Sequence, residues 1–103
     1  LAPQARGLLL FLDGSPTSGR VLPRITSARD LLFPGVPVLA VLTGELPPQL
    51  PAGEKRTIPL MRDPDGGQAS SYGITAYPSF LVLDDGGRVL LRVEGASLEG
   101  FLP

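Results

Sequence analysis

Two apolar runs dominate the first half of the chain. Positions 8–12 are apolar throughout and end in Asp13-Gly14, while positions 36–42 are interrupted only by Pro37. Short apolar runs bounded by turn residues suit strands covered on both faces, as in a parallel sheet. Between them, Val21, Leu22, Ile25, Ala28 and Leu32 recur at helical spacing, with Arg20, Arg24 and Ser27 on the opposite, solvated side. Ser15-Pro16 opens that segment as an N-cap followed by proline at the first helical position. Pro23 lies inside the pattern, where it removes a backbone donor and should bend the helix, and Pro34-Gly35 stops it. Strand, helix and strand in this order make a βαβ unit, right-handed by strong precedent.

The second half is built of shorter pieces. Pro47, Pro48, Pro51 and Gly53 make positions 43–56 a mostly irregular crossover, with room for one short turn at 46–50. Positions 57–61 predict a brief strand, and Pro59 points to a sheet edge. Asp63-Pro64-Asp65-Gly66-Gly67 is turn chemistry, followed by a short helix over 68–72 that Gly73 ends. Two strands, 79–83 and 88–93, flank Asp84-Asp85-Gly86-Gly87 and form a β-hairpin. Gly95 ends the second of them. Ser97 then caps a last short helix through position 102, with Leu98, Phe101 and Leu102 facing inward. The fold class is α/β with a mixed sheet: a βαβ unit, then a C-terminal hairpin and helix.

Composition narrows the function more than it identifies one. At 103 residues, positions 1–103 form a single domain, large enough to bury a core without staples. A net charge of −1 and no basic cluster argue against nucleic acid as a partner. No apolar run approaches the roughly 18 residues that suggest a membrane span. Nothing in the pattern calls for an oligomer, so a monomer is expected. The chain has no cysteine and no histidine. Disulfides, thiolate chemistry and thiolate metal sites are therefore impossible, as are Ser-His and Cys-His nucleophile pairs within the chain. No cofactor is implied. The start at Leu1 rather than Met leads to the expectation of a removed leader or of a domain cut from something longer.

The second half carries a resemblance. Tyr72-Gly73-Ile74, then Tyr77-Pro78-Ser79, then Asp84 and Gly87, preceded by Asp63-Pro64-Asp65-Gly66, is similar to the thioredoxin-like superfamily, closest to extracytoplasmic thiol-disulfide oxidoreductase and redoxin domains. It extends over positions 8–95 and implies a three-layer sandwich around a mixed sheet, and an extracytoplasmic setting. In that family a Cys-x-x-Cys pair begins the first long helix, and a kinking proline lies five residues after the second cysteine. Counting back from Pro23 puts Ser15 and Ser18 at the thiol-pair positions, around Pro16-Thr17. Gly19 stands in the usual basic position, with Arg20 one later. Pro78 matches the family's cis-proline. A buried acid present in many members has no counterpart, its place on the first strand being held by Leu9.

A serine hydroxyl is too weak an acid for disulfide exchange and forms no disulfide, and no general base is evident nearby, so no residue is catalytic as sequenced. Three accounts of the serines stay open: a thioredoxin-like relative that lost its thiols and kept the fold for binding; an oxidoreductase whose two active-site cysteines were replaced by serine; or plain helix capping. For the first, the resemblance implies a peptide or protein client in the groove beside the cis-proline, formed by Pro16, Thr17, Ala76, Tyr77 and Pro78. First-turn amides and the hydroxyls of Thr17 and Ser18 also suggest a small-anion site. Tyr77 has a plainer reading as a partly buried aromatic beside the hairpin. Asp63 and Asp65 resemble the start of a calcium loop, but the remaining ligands of that pattern are missing, so no metal site is expected and capping explains them. Asp84 and Asp85 are hairpin-turn residues.

Overall fold

The computed structural model describes residues 4–44 and 58–102. Five strands form one sheet in the order β3-β2-β1-β4-β5. The strands are β1 (Gly7–Leu12), β2 (Val38–Leu42), β3 (Leu60–Arg62), β4 (Ser79–Leu83) and β5 (Val89–Glu94). The first three run parallel, β4 pairs antiparallel with β1, and β5 pairs antiparallel with β4. The described residues also form three helices: α1 (Pro16–Leu32), α2 (Gly67–Ser71) and α3 (Ala96–Phe101).

Because successive strand residues face opposite sides, each central run divides cleanly between two layers. Leu8, Leu10 and Leu12 of β1, Val38, Ala40 and Leu42 of β2, and Phe80 and Val82 of β4 pack with Val21, Leu22, Ile25 and Ala28 of α1 and with Leu98 of α3. Leu9, Phe11, Leu39, Val41, Leu81 and Leu83 form the other face with Ala69 and Tyr72. Both faces are apolar, as the uninterrupted runs require. The second face is covered unevenly, however, since α2 has only five residues. Leu9, Leu39 and Leu83 are left partly exposed around an apolar groove of about 300 Å³ at the end of the sheet where β1 and β2 begin.

The first helix starts as the sequence implies. Ser15 has extended backbone, and its side chain accepts from the Ser18 N–H, with Pro16 next in line. Pro23 sits on the exposed side, and the 17-residue helix continues through it to a cap at Phe33. Arg20 and Arg24 do more than solvate that face. The Arg24 guanidinium donates to the carbonyls of Glu99 (2.9 Å) and Leu102 (3.1 Å), closing the C-terminal end of α3 against α1. Arg20 pairs with the Glu99 carboxylate at 3.5 Å.

Two expectations shift, and a third is untested. The edge strand begins at Leu60 rather than at 57. Pro59 stays outside it and offers its carbonyl to the Ala40 N–H at 2.9 Å. Ser97 does not cap α3: Gly95 does, at φ 62° and ψ −138°, with no side-chain hydrogen bond, so Ser97 falls inside the helix. The crossover turn expected at 46–50 lies outside the described residues. The hairpin stands where the alternation puts it, with a register shift between Val82 and Leu83.

Candidate functional site

The C-terminal ends of β1 and β2 and the N-terminal end of β4 meet at one end of the sheet, since Phe11 is in register with Ser79 and the Thr43 N–H donates to the Leu12 carbonyl at 2.9 Å. The turn into α1 leaves from that end, and residues 76–78 arrive there. The Tyr77-Pro78 peptide bond is cis.

The turn into α1 is organised by a carboxylate. Asp13 Oδ1 accepts from the Ser15 N–H (3.1 Å), the Ser15 hydroxyl (2.6 Å) and the Ser18 hydroxyl (2.7 Å). The Asp13 N–H in turn donates to Ser18 Oγ at 3.0 Å, and the Ser18 N–H donates to Ser15 Oγ at 3.3 Å. The two serine oxygens are 3.4 Å apart. Ser18 is completely buried, whereas Ser15 is half-buried at the rim. Burial pushes the Asp13 carboxyl up. The hydroxyls of Ser15 and Ser18 and the backbone N–H groups of Ser15 and Asp13 outweigh it and hold the group below the usual aspartate range.

This network revises two expectations. A carboxylate does lie beside both hydroxyls, although an aspartate held below its ordinary pKa is a weaker base than usual and does not activate serine. The hydroxyls of the expected small-anion site are already engaged: Ser18 is tied to Asp13, and Thr17 Oγ1 accepts from Arg20 at 3.0 Å. Asp13 is the residue that sequence reasoning passed over. An aspartate two residues before an N-cap serine is the spacing of an Asx-turn, and that signal was present.

A second cluster stands beside the cis-proline. The Tyr77 hydroxyl donates to Thr43 Oγ1 at 3.2 Å, and its half-buried ring joins the second hydrophobic layer, as the plainer reading has it. Asp63 is 4% exposed and accepts the N–H groups of Gln68 and Ala69, both at 3.0 Å. The Gln68 N–H lowers its pKa most, against burial, with further help from Ala69, Thr43 and Gly67. Asp63 thus caps α2, Asp65 accepts the Gly67 N–H, and Asp84 accepts those of Gly86 and Arg88, all in turn and capping roles. Ser79 Oγ donates to the Ala76 carbonyl, and the Gly95 N–H to the Pro78 carbonyl at 2.8 Å. Among the described residues, the N–H of Ala76 and both main-chain groups of Tyr77 have no hydrogen-bond partner.

A mixed sheet in this order, with two of the described helices on one face and one on the other, gives the chain a thioredoxin-like fold, and serine stands at positions 15 and 18. Solved structures it is similar to include a thiol:disulfide interchange protein and a thioredoxin. A thiol:disulfide interchange protein DsbE from Chlorobium tepidum aligns with a TM-score of 0.71 and 22% identity over 95% of this chain and 75% of that one. The exposed lipoprotein thioredoxin of Streptococcus pneumoniae aligns at 0.68 and 18%, over 89% and 76%. The N-terminal domain of PilB from N. meningitidis, in its reduced form, aligns at 0.64 and 22%, over 93% and 74%. At these identities the likeness is one of fold. No protein-family model matches the sequence, and no curated protein matches it.

Proposed function

We propose that the chain is a redox-inactive thioredoxin-like module that binds an extended segment of a protein or peptide client in the groove between the turn at 15–18 and Tyr77-Pro78. The observation that carries this reading is that, among the described residues, the N–H of Ala76 and the N–H and carbonyl of Tyr77 are unpaired. Backbone donors and acceptors left open at the end of the sheet, just before β4, can pair with the main chain of an extended segment. The Ser79-to-Ala76 hydrogen bond holds Ala76 against the start of β4, which lowers the ordering required on binding. Pro16 and Thr17 form the opposite wall.

An NMR titration with short unstructured peptides tests the reading. Amide shifts should change at Ala76, Tyr77 and positions 15–18. Changes confined to the opposite face would remove the groove from consideration.

The second reading, an oxidoreductase whose two thiols were exchanged for serine, draws support from the 3.4 Å separation of the two side-chain oxygens. A protein carrying Ser15→Cys and Ser18→Cys should then form an intramolecular disulfide under mild oxidant. Two thiols that never pair would show that these positions do not correspond to a thiol pair.

A further inference from the structure

We infer that Asp13, Ser15 and Ser18 form one polar unit built for hydroxyls, and that Asp13 is the residue that sets this site against thiolate chemistry. The inference rests on the correspondence of positions 15 and 18 to a thiol pair, and it deepens the redox-inactive reading of the same site.

Donor and acceptor counts favour hydroxyls at both positions. Each serine hydroxyl has one proton to give. Ser15 gives its proton to Asp13 Oδ1 and receives the Ser18 N–H. Ser18 gives its own to the same oxygen and receives the Asp13 N–H. Both hydroxyls are thus used as donor and acceptor, and no buried side-chain polar atom among the described residues lacks a partner. A thiol is a weak donor and a weak acceptor, so cysteine in both places would leave the carboxylate and two backbone N–H groups poorly satisfied.

Charge adds to the mismatch. Thiol-disulfide exchange requires a thiolate, which a helix N-terminus ordinarily favours. Here an anion already stands at that terminus, 2.6 and 2.7 Å from the two atoms that sulfur would replace. A second negative charge at that separation is disfavoured, and like charges so close raise the pKa of the later group. Ser18, fully buried, has no water to relieve the repulsion. The positive end of α1 is occupied from within the chain.

The test compares the Ser15→Cys, Ser18→Cys protein with the same protein carrying Asp13→Asn. The pH dependence of iodoacetamide alkylation gives the pKa of the reactive thiol in each. With Asp13 present it should lie above the unperturbed value of about 8.5, and Asp13→Asn should lower it by about one unit or more, a tenfold gain in thiolate at neutral pH. A thiol at or below about 8.5 with Asp13 in place, or one that Asp13→Asn leaves unmoved, overturns the inference. If the double change prevents folding, Ser15→Cys alone, at the half-buried rim, permits the same comparison. Failure of peptide binding would leave this result untouched, and failure of the two thiols to pair would bear on the positional correspondence alone.

Discussion

The most direct measure of the Asp13 unit is the loss of Ser18. Replacing Ser18 by Ala at a fully buried position removes the hydroxyl that donates to Asp13 Oδ1 at 2.7 Å and accepts the Asp13 N–H at 3.0 Å. A hydrogen bond to a charged group contributes about 1.5–3 kcal/mol, and a buried donor left alone costs about 1–3 kcal/mol. Asp13 is only half-buried, so water recovers part of both; alanine also suits the first turn of a helix. The expected net loss is about 2 kcal/mol, which for a domain of this size lowers Tm by roughly 8–16 °C. Far-UV circular dichroism in urea is the assay, because the chain has no tryptophan. The midpoint should fall with the slope unchanged. The same loss should shrink by about 1 kcal/mol or more in an Asp13→Ala background, since the two residues share one network. A loss below about 0.5 kcal/mol, or additive effects in the double-mutant cycle, would refute the account of the unit.

Three further outcomes follow from the same structure. Asp13 and Asp63 both have folded-state pKa values lowered from the ordinary one. The stability they contribute is full above their unfolded pKa of about 3.9 and lost as pH falls through the lower folded values. Urea midpoints should therefore drop between pH 5 and pH values well below 3.9, less steeply for Ser18→Ala, and a flat acid limb would contradict this. Gly95→Ala places a side chain at φ 62° and ψ −138°, with the Ala76 Cβ only 3.4 Å away, and should cost about 1–3 kcal/mol by thermal melting. Arg24→Met keeps the stem but removes both bonds to the end of α3. It should cost about 1 kcal/mol and speed amide exchange at positions 98–102 while β1 stays protected, and uniform protection would count against the tether.

Much of this molecule is local chemistry, and that part is readable from the chain. The hairpin follows from alternation around Asp84 to Gly87, and α1 from Ser15-Pro16 and the spacing of Val21, Leu22, Ile25 and Ala28. What the chain conceals are partnerships between distant residues. Arg24 looks solvated until Leu102, 78 positions later, folds back beside it. Ser97 has the chemistry of a cap, but the chain has already turned at Gly95, whose N–H is held by the carbonyl of Pro78. The positions of the candidate site were visible through Pro23 and Pro78. Its chemistry was not, because Asp13-Gly14 reads as a turn, and only folding brings the Ser18 hydroxyl onto the Asp13 carboxylate.

Met61 carries the only sulfur atom in the chain, and it lies exposed on the edge strand β3, two strands from β1. Peroxide therefore has one thioether to attack, level with Phe11 and two strands across from it, and no thiol anywhere. With no histidine either, the charge at the candidate groove is the same in mildly acidic and mildly alkaline buffer. Apart from that thioether, the chain offers no side-chain sulfur for an oxidant to alter. Positions 15–18 and 76–78 carry no thiol or thioether through which reducing and oxidising conditions would differ.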